Sequence, residues 1–438
     1  MKKKTTKEKI KTYDRRATYK MYPTKEQEAL LFKRLYLERW LHNALLEQRK
    51  TVYQSSGKSL SYSDQCKEIT KLRADDPRFK NVNAQSLQKT ADRIDKAYDN
   101  AFARIARGEK AGFPRFKSQN RCKSFSYKSH GDGYRITHDK STKKRKMRNG
   151  NIHMTGIGTI PIRGSSQHEG EHTVTDIIYK AGGWEVSTVI RMTNKPKRNS
   201  GDKVAGFDWG TEHFATLAFE DGTHKEIPNP RNGRKAKKKI ADAQTSMNKK
   251  EKGSKNREKA KIKFGKAHKR LKNQRTDFLH QTSSELIKTY GLLSAEQLDI
   301  KAMTEAGENA RERGLNREVL DTAPASFYAM LDYKAEEAGS IFTCIETKKW
   351  LPTQACSCCG RMVWKDLSVR EHKCPYCGLV LKRDENSSRV CLNVVTLGRP
   401  CSREPTVCLE AKSNPTLAAP KQESPPILEY TNSLNEFV

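Results

Sequence analysis

Four cysteines form two Cys-x-x-Cys pairs in the last quarter of the chain. The pairs are Cys356 with Cys359 and Cys374 with Cys377, and the 14 residues 360–373 separate them. Four thiolates at this spacing saturate a tetrahedral zinc ion and leave no open position for a catalytic water. The sequence therefore predicts a structural zinc ribbon rather than redox thiols, which would need a thioredoxin-like context.

Two further residues compete for a place in this ligand set. Cys358 and His372 both lie close enough in the sequence to be rival ligands. The regular register of the two pairs favours the four paired cysteines. The remaining cysteines are scattered, which is typical of small buried side chains.

Three carboxylates are spread over the second half of the chain. Asp208 lies in a predicted strand, Glu296 closes another, and Asp384 precedes a helical pattern at 389–396. Two strands and a helix start can bring three acids together, as in an RNase H-like sheet. Such acids stay ionised only beside a cation, and Mg²⁺ is the ion that suits oxygen ligands. Two Mg²⁺ ions would orient a water and stabilise the leaving 3′ oxygen of a phosphodiester.

A second interpretation of these acids stays open on the residues alone. The chain has 51 aspartates and glutamates. In a charged protein, most such side chains are solvated surface groups.

The composition indicates which partner the chain binds. It has 438 residues, 85 lysines and arginines, and a formal net charge of +34. A polyanion relieves this self-repulsion, so nucleic acid is the predicted partner. A mean hydropathy of −0.87 and the lack of an apolar run of about 18 residues exclude a membrane protein. We expect a cytoplasmic, nucleoid-associated protein, because the basic leader is not followed by the apolar segment of a secretory signal.

The first half of the chain changes its apolar period at about residue 111. Helical spacing predicts a bundle over 24–110, with Thr24 and Gln27 as a capping box. Short strands between Gly-, Asp- and Ser-rich turns predict a β-barrel or curled sheet over 111–197. The strand in 1–23 belongs to the same β module, so the bundle is predicted to be an insertion.

The second half carries the candidate chemistry. An α/β domain is predicted over 202–348 and 381–399, with the zinc ribbon at 349–380 inserted. Within it, 231–275 has nineteen lysines and arginines against three acids. This run predicts basic helices that track phosphates, although a merely solvated face stays open. The aperiodic residues 400–438 are predicted to be disordered.

Several short motifs are similar, in order along the chain, to those of one family. They are Tyr22-Pro23-Thr24-Lys25-Glu26-Gln27, Gly112-Phe113-Pro114-Arg115-Phe116-Lys117, Val204-Ala205-Gly206-Phe207-Asp208-Trp209-Gly210, Glu296–Met303, Phe327–Gly339, the double Cys-x-x-Cys and Arg383-Asp384-Glu385-Asn386-Ser387-Ser388. With this ordered set, residues 17–397 resemble the TnpB family. These proteins are transposon-encoded nucleases with a RuvC-like domain, related to type V CRISPR effectors.

The resemblance implies an RNA-guided DNA endonuclease whose RuvC-like site uses Asp208, Glu296 and Asp384. It implies Mg²⁺ at these carboxylates, a guide RNA from the transposon end, and double-stranded target DNA with a short adjacent motif. The implied fold is α+β and multidomain. An N-terminal β-barrel (wedge) holds an inserted helical recognition bundle, and an RNase H-like (RuvC) α/β nuclease domain holds an inserted zinc ribbon.

The chain departs from the family pattern near two of the carboxylates. Gln297 stands where an acid is usual, Lys382 stands where an aspartate often precedes Arg383, and Ser387 and Ser388 replace small alanines. None of these changes removes a catalytic carboxylate. Three other functions stay open: a transposase acting directly on transposon-end DNA, a nuclease-inactive RNA-guided repressor, and a compact type V CRISPR effector.

Overall fold

A computed structural model describes residues 12–138, 149–164, 169–305, 309–366 and 368–402. They form a mixed α/β protein with two compact units. The first unit contains Met1–Gly201, Pro230–Thr289 and Ala306–Ser340, and the second contains Asp202–Asn229, Tyr290–Glu305 and Ile341–Val438. The tail predicted to be disordered lies outside the described residues from 403 onward. The domain boundaries drawn from the sequence stay predictions.

The strands are β1 (Tyr13–Met21), β2 (Ser124–Tyr127), β3 (Tyr134–His138), β4 (Asn149–Met154), β5 (Gly158–Gly164), β6 (Glu171–Lys180), β7 (Gly183–Met192), β8 (Lys203–Trp209), β9 (His213–Phe219), β10 (His224–Pro228), β11 (Tyr290–Glu296), β12 (Ile341–Ile345), β13 (Glu371–Lys373) and β14 (Val380–Lys382). The helices are α1 (Lys25–Ser56), α2 (Tyr62–Asp75), α3 (Pro77–Lys80), α4 (Ala84–Ala106), α5 (Asn232–Asn248), α6 (Lys255–Thr289), α7 (Ile300–Met303), α8 (Ala310–Thr322), α9 (Pro324–Ala338), α10 (Thr347–Trp350) and α11 (Arg383–Leu397).

A seven-stranded antiparallel sheet forms the base of the first unit. Its strand order is β2-β6-β7-β1-β5-β4-β3, so β1 lies in the middle although it comes first in sequence. Helices α1–α4 are inserted between strands β1 and β2 of this sheet. All seven strands contribute to one core, which includes the buried Tyr19, Phe125 and Trp184. Because no ladder joins β2 to β3 among the described residues, the predicted barrel is observed as a curled open sheet.

Helices α1, α2 and α4 pack around a second apolar core, which includes Leu41, Ile69, Leu87 and Ile94. The predicted capping box at the start of α1 is confirmed. The Gln27 amide N–H donates to the Thr24 hydroxyl at 3.2 Å, and the Thr24 amide donates to the Gln27 side chain at 3.1 Å.

Lys334, in the Phe327–Gly339 motif on α9, connects this helix to α6 in the first unit. Lys334 is 1% exposed, and its ammonium group donates to the His280 carbonyl at 2.8 Å and to the Ser283 and Ser284 hydroxyls at 2.7 and 2.8 Å. All three acceptors belong to α6. The three ammonium protons are thus satisfied, and Lys334 has a structural role between α6 and α9.

Replacing Lys334 by methionine is expected to lower the free energy of unfolding by about 2–4 kcal/mol, because the His280 carbonyl and two hydroxyls lose the buried ammonium group that bonds to them. Lys288→Met is the matched control, since Lys288 is an exposed lysine of α6 and its loss should cost less than about 0.5 kcal/mol. Denaturant titration measures both changes. Equal effects of the two substitutions would contradict a structural role for Lys334.

The second unit is built on a five-stranded mixed sheet with the order β10-β9-β8-β11-β12. Strands β8, β9 and β10 are antiparallel neighbours, whereas β11 runs parallel to both β8 and β12. The strands predicted at 203–209 and 291–295 are confirmed as β8 and β11. The helix predicted at 389–396 begins earlier, at Arg383.

Among the described residues, none of the helices combines the length and the apolar character that crossing a membrane requires.

Candidate carboxylate site and metal centre

Asp208 and Glu296 lie at the carboxyl ends of two adjacent parallel strands in the second unit. In the ladder between β8 and β11, Gly206 is opposite Ser294. Asp208 lies two residues after Gly206 on β8, and Glu296 lies two residues after Ser294 on β11. Because side chains alternate along a strand, the two carboxylates lie side by side on the face that carries Gly206 and Ser294.

Helix α11 covers this face of the sheet. A Cβ atom at Gly206 would lie 2.3 Å from the Ser388 carbonyl oxygen and 2.4 Å from the Leu392 nitrogen, so only glycine permits this approach. The Ser294 hydroxyl donates to the Cys391 carbonyl. These contacts fix the middle of α11 over the two strands.

Asp384 lies in the first turn of α11, one turn before Ser388. Its negative charge, together with that of Glu296, acts on Asp208. Arg383 donates to one Asp384 oxygen through Nε at 3.1 Å and Nη2 at 3.0 Å. The structure thus brings the three predicted acids to one end of the sheet.

Burial is the main cause that raises the pKa of Asp208 well above its usual value, and Glu296 and Asp384 raise it further. The Arg383 guanidinium and the Ser387 hydroxyl act in the opposite direction. Burial also raises the pKa of Glu296, against the effect of the Thr347 hydroxyl. The cluster therefore favours proton uptake or binding of a cation.

The three carboxylates are less tightly gathered than the cysteines described below. Among the residues that the structure describes, only those cysteines form a group of three or more His, Cys, Asp or Glu ligand atoms within 4.8 Å of one another. The donor set of Asp208, Glu296 and Asp384 is nevertheless the all-oxygen, negatively charged set that a hard divalent cation prefers.

Sequence reasoning did not assign a role to Arg383 or Ser387. Both side chains favour the ionised form of Asp208 and so lower its pKa. Arg383 is the adjacent cation, and its backbone N–H donates to the Arg370 carbonyl at 2.8 Å. Their position next to Asp384 in the sequence was the available signal.

The second unit also brings the four paired cysteines together. Ligand atoms of Cys356, Cys359, Cys374 and Cys377 all lie within 4.8 Å of one another. The Sγ atoms of Cys356 and Cys377 are 3.6 Å apart, as are those of Cys359 and Cys374. These separations fit zinc, because Zn–S bonds of about 2.3 Å in a tetrahedron give S–S distances of about 3.8 Å.

The two halves of the cysteine cluster have the same backbone geometry. The amide of Gly360 donates to the Cys356 carbonyl at 2.9 Å, and that of Gly378 donates to the Cys374 carbonyl at 3.0 Å. Both glycines have φ of +74°, in the left-handed region that other residues rarely adopt.

Burial raises the pKa of Cys359 to about 12. Burial acts in the same direction on Cys377, but hydrogen bonds to its sulfur outweigh it and lower the pKa of this thiol. The rival His372 is buried outside this group, and its Nδ1 lies 2.8 Å from the Lys365 ammonium nitrogen.

Asn386 links the cysteine cluster to α11. Its side-chain oxygen accepts from the Ser357 N–H at 2.9 Å, and its amide nitrogen donates to the Ala355 carbonyl at 2.8 Å. These two groups flank Cys356, and Asn386 itself is fully buried. Asn386 follows Asp384 by two residues. The first turn of α11 therefore carries the Asp384 carboxylate and also binds the loop around Cys356.

Asn386→Ala is expected to destabilise the second unit by about 2–3 kcal/mol, because a buried N–H and a buried carbonyl both lose their partners. Asn393→Ala is the matched control. Asn393 is partly exposed, and its amide donates only to carbonyls, those of Ser357 and Pro400 at 3.0 and 3.2 Å. Its loss should cost about 1 kcal/mol. Thermal unfolding compares the two variants, and an equal or larger effect at Asn393 would contradict this assignment.

A positively charged cleft lies within the first unit. Its volume is about 1930 Å³, and its lining contains eleven lysines and arginines against three acids. Each of these acids is already paired. The contacts are Arg234 with Glu318 at 3.0 Å, Arg275 with Asp321 at 2.6 Å and Lys261 with Glu258 at 3.3 Å. The cleft therefore carries an uncompensated positive charge.

Family profiles match three parts of the chain. A profile described as "Probable transposase" (OrfB of IS605) matches residues 187–307, "Cas12f1-like, TNB domain" matches 325–391, and "Helix-turn-helix domain" matches 14–58. A protein of Streptomyces pristinaespiralis named "Putative RNA-guided DNA endonuclease" is 29% identical over 392 residues, which are 88% of this chain and 89% of that protein. The chain belongs to the TnpB family.

A second relative of this TnpB-family chain comes from Escherichia coli K12. "Putative RNA-guided DNA endonuclease InsQ" is 25% identical over 415 residues, covering 90% of this chain and 98% of the relative. Among solved structures, the chain in "Cryo-EM structure of the Cas12f1-sgRNA-target DNA complex" matches with a TM-score of 0.52 at 13% identity, over 89% of this TnpB-family chain and 99% of that one. The fold of this TnpB-family protein therefore resembles that of Cas12f1.

Proposed function

We propose that this protein is an RNA-guided DNA endonuclease encoded by a transposable element. It hydrolyses phosphodiesters of target DNA at a RuvC-like, RNase H-like site formed by Asp208, Glu296 and Asp384. The names of the relatives from S. pristinaespiralis and E. coli support this proposal.

The observation that carries the proposal is the register of β8 and β11. It puts Asp208 and Glu296 side by side at the strand ends. Helix α11 adds Asp384 next to them. The pKa of Asp208 is raised mainly by burial, and the charges of Glu296 and Asp384 raise it further. Three acids that repel one another inside a fold need a cation to stay ionised, and hydrolysis of a phosphodiester uses such a cation.

In the proposed mechanism, Asp208, Glu296 and Asp384 would hold two Mg²⁺ ions. When bound, Mg²⁺ supplies activation of water and stabilisation of the leaving 3′ oxygen. Arg383 holds the Asp384 carboxylate in place and offsets part of the negative charge when DNA phosphates approach.

The proposed partners are a guide RNA from the transposon end and double-stranded target DNA with a short adjacent motif. The net charge of +34 and the positively charged cleft of the first unit support a large polyanionic ligand. Exchange of a DNA duplex for an RNA–DNA hybrid is nearly balanced in free energy, so contacts from lysine and arginine to the backbone can tip it.

The cluster of four cysteines is proposed to be a structural zinc ribbon inserted at 349–380. We assign 202–348 and 381–399 to the nuclease domain, 1–23 and 111–197 to the wedge, and 24–110 to the recognition bundle. We also propose a cytoplasmic protein associated with the nucleoid.

The decisive experiment is cleavage of a plasmid library by protein co-expressed with the RNA of its transposon end. We expect Mg²⁺-dependent cuts next to one short motif in targets that match the RNA, and none with EDTA. Specific binding without cutting would favour the RNA-guided repressor.

The description "Probable transposase" favours a second candidate, a transposase acting directly on transposon ends. The same purified protein can be incubated with transposon-end DNA in the absence of RNA. Joining of these ends without RNA would replace the guided endonuclease by the transposase.

A further inference from the structure

Three aromatic side chains form a surface platform on the first unit. Tyr98 and Phe102 on α4 have ring centroids 6.2 Å apart in a stacked arrangement, and Phe113 lies 6.3 and 6.0 Å from them. Phe102 is 56% exposed and Phe113 is 51% exposed. We call Tyr98, Phe102 and Phe113 the aromatic platform.

The platform is held rigidly from below. Tyr98 packs against the apolar core of the helices, and the Arg49 guanidinium lies 5.6 Å from the centre of its ring. Arg49 in turn is buried and donates to Asp95 at 2.7 Å. Phe102 and Phe113 therefore project from a fixed base.

The loop that carries Phe113 is also anchored at both ends. Before it, Arg104 donates to the Lys110 carbonyl at 2.9 Å. After it, Asn43 of α1 accepts from the Lys117 N–H at 2.8 Å and donates to the Lys117 carbonyl at 3.1 Å. An apolar surface that is ordered in advance loses little conformational entropy when a ligand covers it.

The chain segment that carries the platform is basic. Residues 98–123 contain seven lysines and arginines and two acids. One of these acids, Glu109, is already paired with Arg104 and Arg107 at 3.0 and 2.9 Å. Nearby in sequence, Phe116 is half-exposed and has the Lys50 ammonium group 4.6 Å from its ring centre.

Exposed rings in a segment with an excess of cations match the chemistry of unpaired nucleotides. Bases stack on aromatic faces in any sequence, and the cations contact the phosphates between them. A protein partner that buried the platform would instead need acidic groups to neutralise the cations around it.

We infer that the aromatic platform is a stacking site for unpaired bases of the RNA that the protein carries. The choice of RNA rests on the proposed function, in which RNA is a resident partner, whereas single-stranded DNA arises only while a target is open. An exposed apolar platform is an aggregation hazard, so a permanently bound strand fits it better than a transient one.

The test uses the full-length protein, freed of RNA, and a fluorescent 12-nucleotide oligoadenylate. The double variant Phe102→Leu/Phe113→Leu should bind it about 10- to 100-fold more weakly, since each stacked base contributes about 1–3 kcal/mol. Phe113→Trp should keep the affinity, and its tryptophan emission should be quenched by the oligonucleotide. Tyr36→Leu, which removes an aromatic ring that is 47% exposed elsewhere on the same unit, should change the affinity less than twofold.

An abasic RNA of the same length separates stacking from phosphate binding. We expect the wild type and the double variant to bind it equally. Two results would overturn the inference. One is that the double variant loses as much affinity for the abasic RNA as for oligoadenylate. The other is that Tyr36→Leu weakens the binding of oligoadenylate as much as the double variant does.

Two further outcomes would assign the platform to another ligand. Weaker binding of single-stranded DNA with unchanged binding of RNA would assign it to DNA. A wild-type dimer that the double variant converts to a monomer, with unchanged RNA affinity, would assign it to a second copy of the chain. Cleavage of target DNA is measured separately, so quenching without cleavage would refute the nuclease and leave the RNA site standing.

Discussion

Asp208→Asn is expected to abolish DNA cleavage and, in buffer without divalent cations, to raise the thermal unfolding temperature of the protein. Cleavage should fall on the order of a thousandfold or more, because the substitution removes a charged ligand from the site that activates the water. Stability should rise because the neutral asparagine removes the cost of burying the Asp208 charge and also relieves the repulsion from Glu296 and Asp384. A gain of about 1–2 kcal/mol corresponds to a few degrees.

The sign of the pH dependence follows from the raised pKa of Asp208. The folded protein binds this proton more tightly than the unfolded chain, whose aspartate titrates near pH 4. The free energy of unfolding therefore falls as the pH rises from about 4 up to the folded pKa of Asp208. The difference between wild type and Asp208→Asn should accordingly be larger at pH 7 than at pH 4.

Magnesium provides the second arm of this experiment. Mg²⁺ should raise the unfolding temperature of the wild type and have a much smaller effect on Asp208→Asn, since a ligand that binds only the folded state stabilises it. Asp202→Asn is the matched control, because Asp202 is an exposed carboxylate that directly precedes β8. Asp208→Asn protein that is less stable than wild type at neutral pH, or that still cuts DNA, would contradict the assignment.

The local elements could be predicted because their sequences carry strong short-range signals. Short apolar runs indicated the strands around Asp208 and Glu296, and Thr24 with Gln27 marked the start of α1. The two Cys-x-x-Cys pairs indicated the cluster that the structure gathers. Each of these signals lies within a few consecutive residues, so the residue types and their spacing are enough to recognise it.

The sequence carries signals for helix α8 and for the start of helix α11 that the predictions above do not use. Helix α8 was not predicted, although Asn309 with Glu312 three residues later is a capping signal, and the Glu312 N–H does donate to Asn309 at 2.9 Å. Helix α11 starts at Arg383 rather than near 389, and its first turn holds Asp384 and Glu385. Acidic residues in a first turn are favoured by the helix dipole, which was the signal for an earlier start.

Other features depend on contacts that no local pattern encodes. The approach of α11 to Gly206 and the bonds of Asn386 to the cysteine loop join residues far apart in sequence. The order of strands in the curled sheet likewise places the first strand in the middle. These long-range contacts explain why the sequence predicted three candidate acids but not the positions of Arg383 and Ser387 near Asp208.

Cys359→Ser is expected to have the second large effect, loss of bound zinc together with local unfolding of the ribbon. The free energy of zinc binding to such sites is about 10–16 kcal/mol and is coupled to folding, so losing one of four thiolates removes a large share of the local stability. Because Asn386 and Asn393 bond to the backbone around Ser357, the damage should reach α11 and lower cleavage at least tenfold. Zinc content per chain and protease sensitivity of 349–380 measure the first effect directly.

Cys358→Ser and His372→Ala serve as matched controls for this prediction. Cys358 is the cysteine next to Cys359 and lies outside the group of four, and His372 is the buried rival that lies beside Lys365. Both variants should keep one zinc ion per chain, because the four sulfur atoms within 4.8 Å of one another already complete a tetrahedron. Zinc retained by Cys359→Ser but lost from His372→Ala would show that the ligand set includes the histidine.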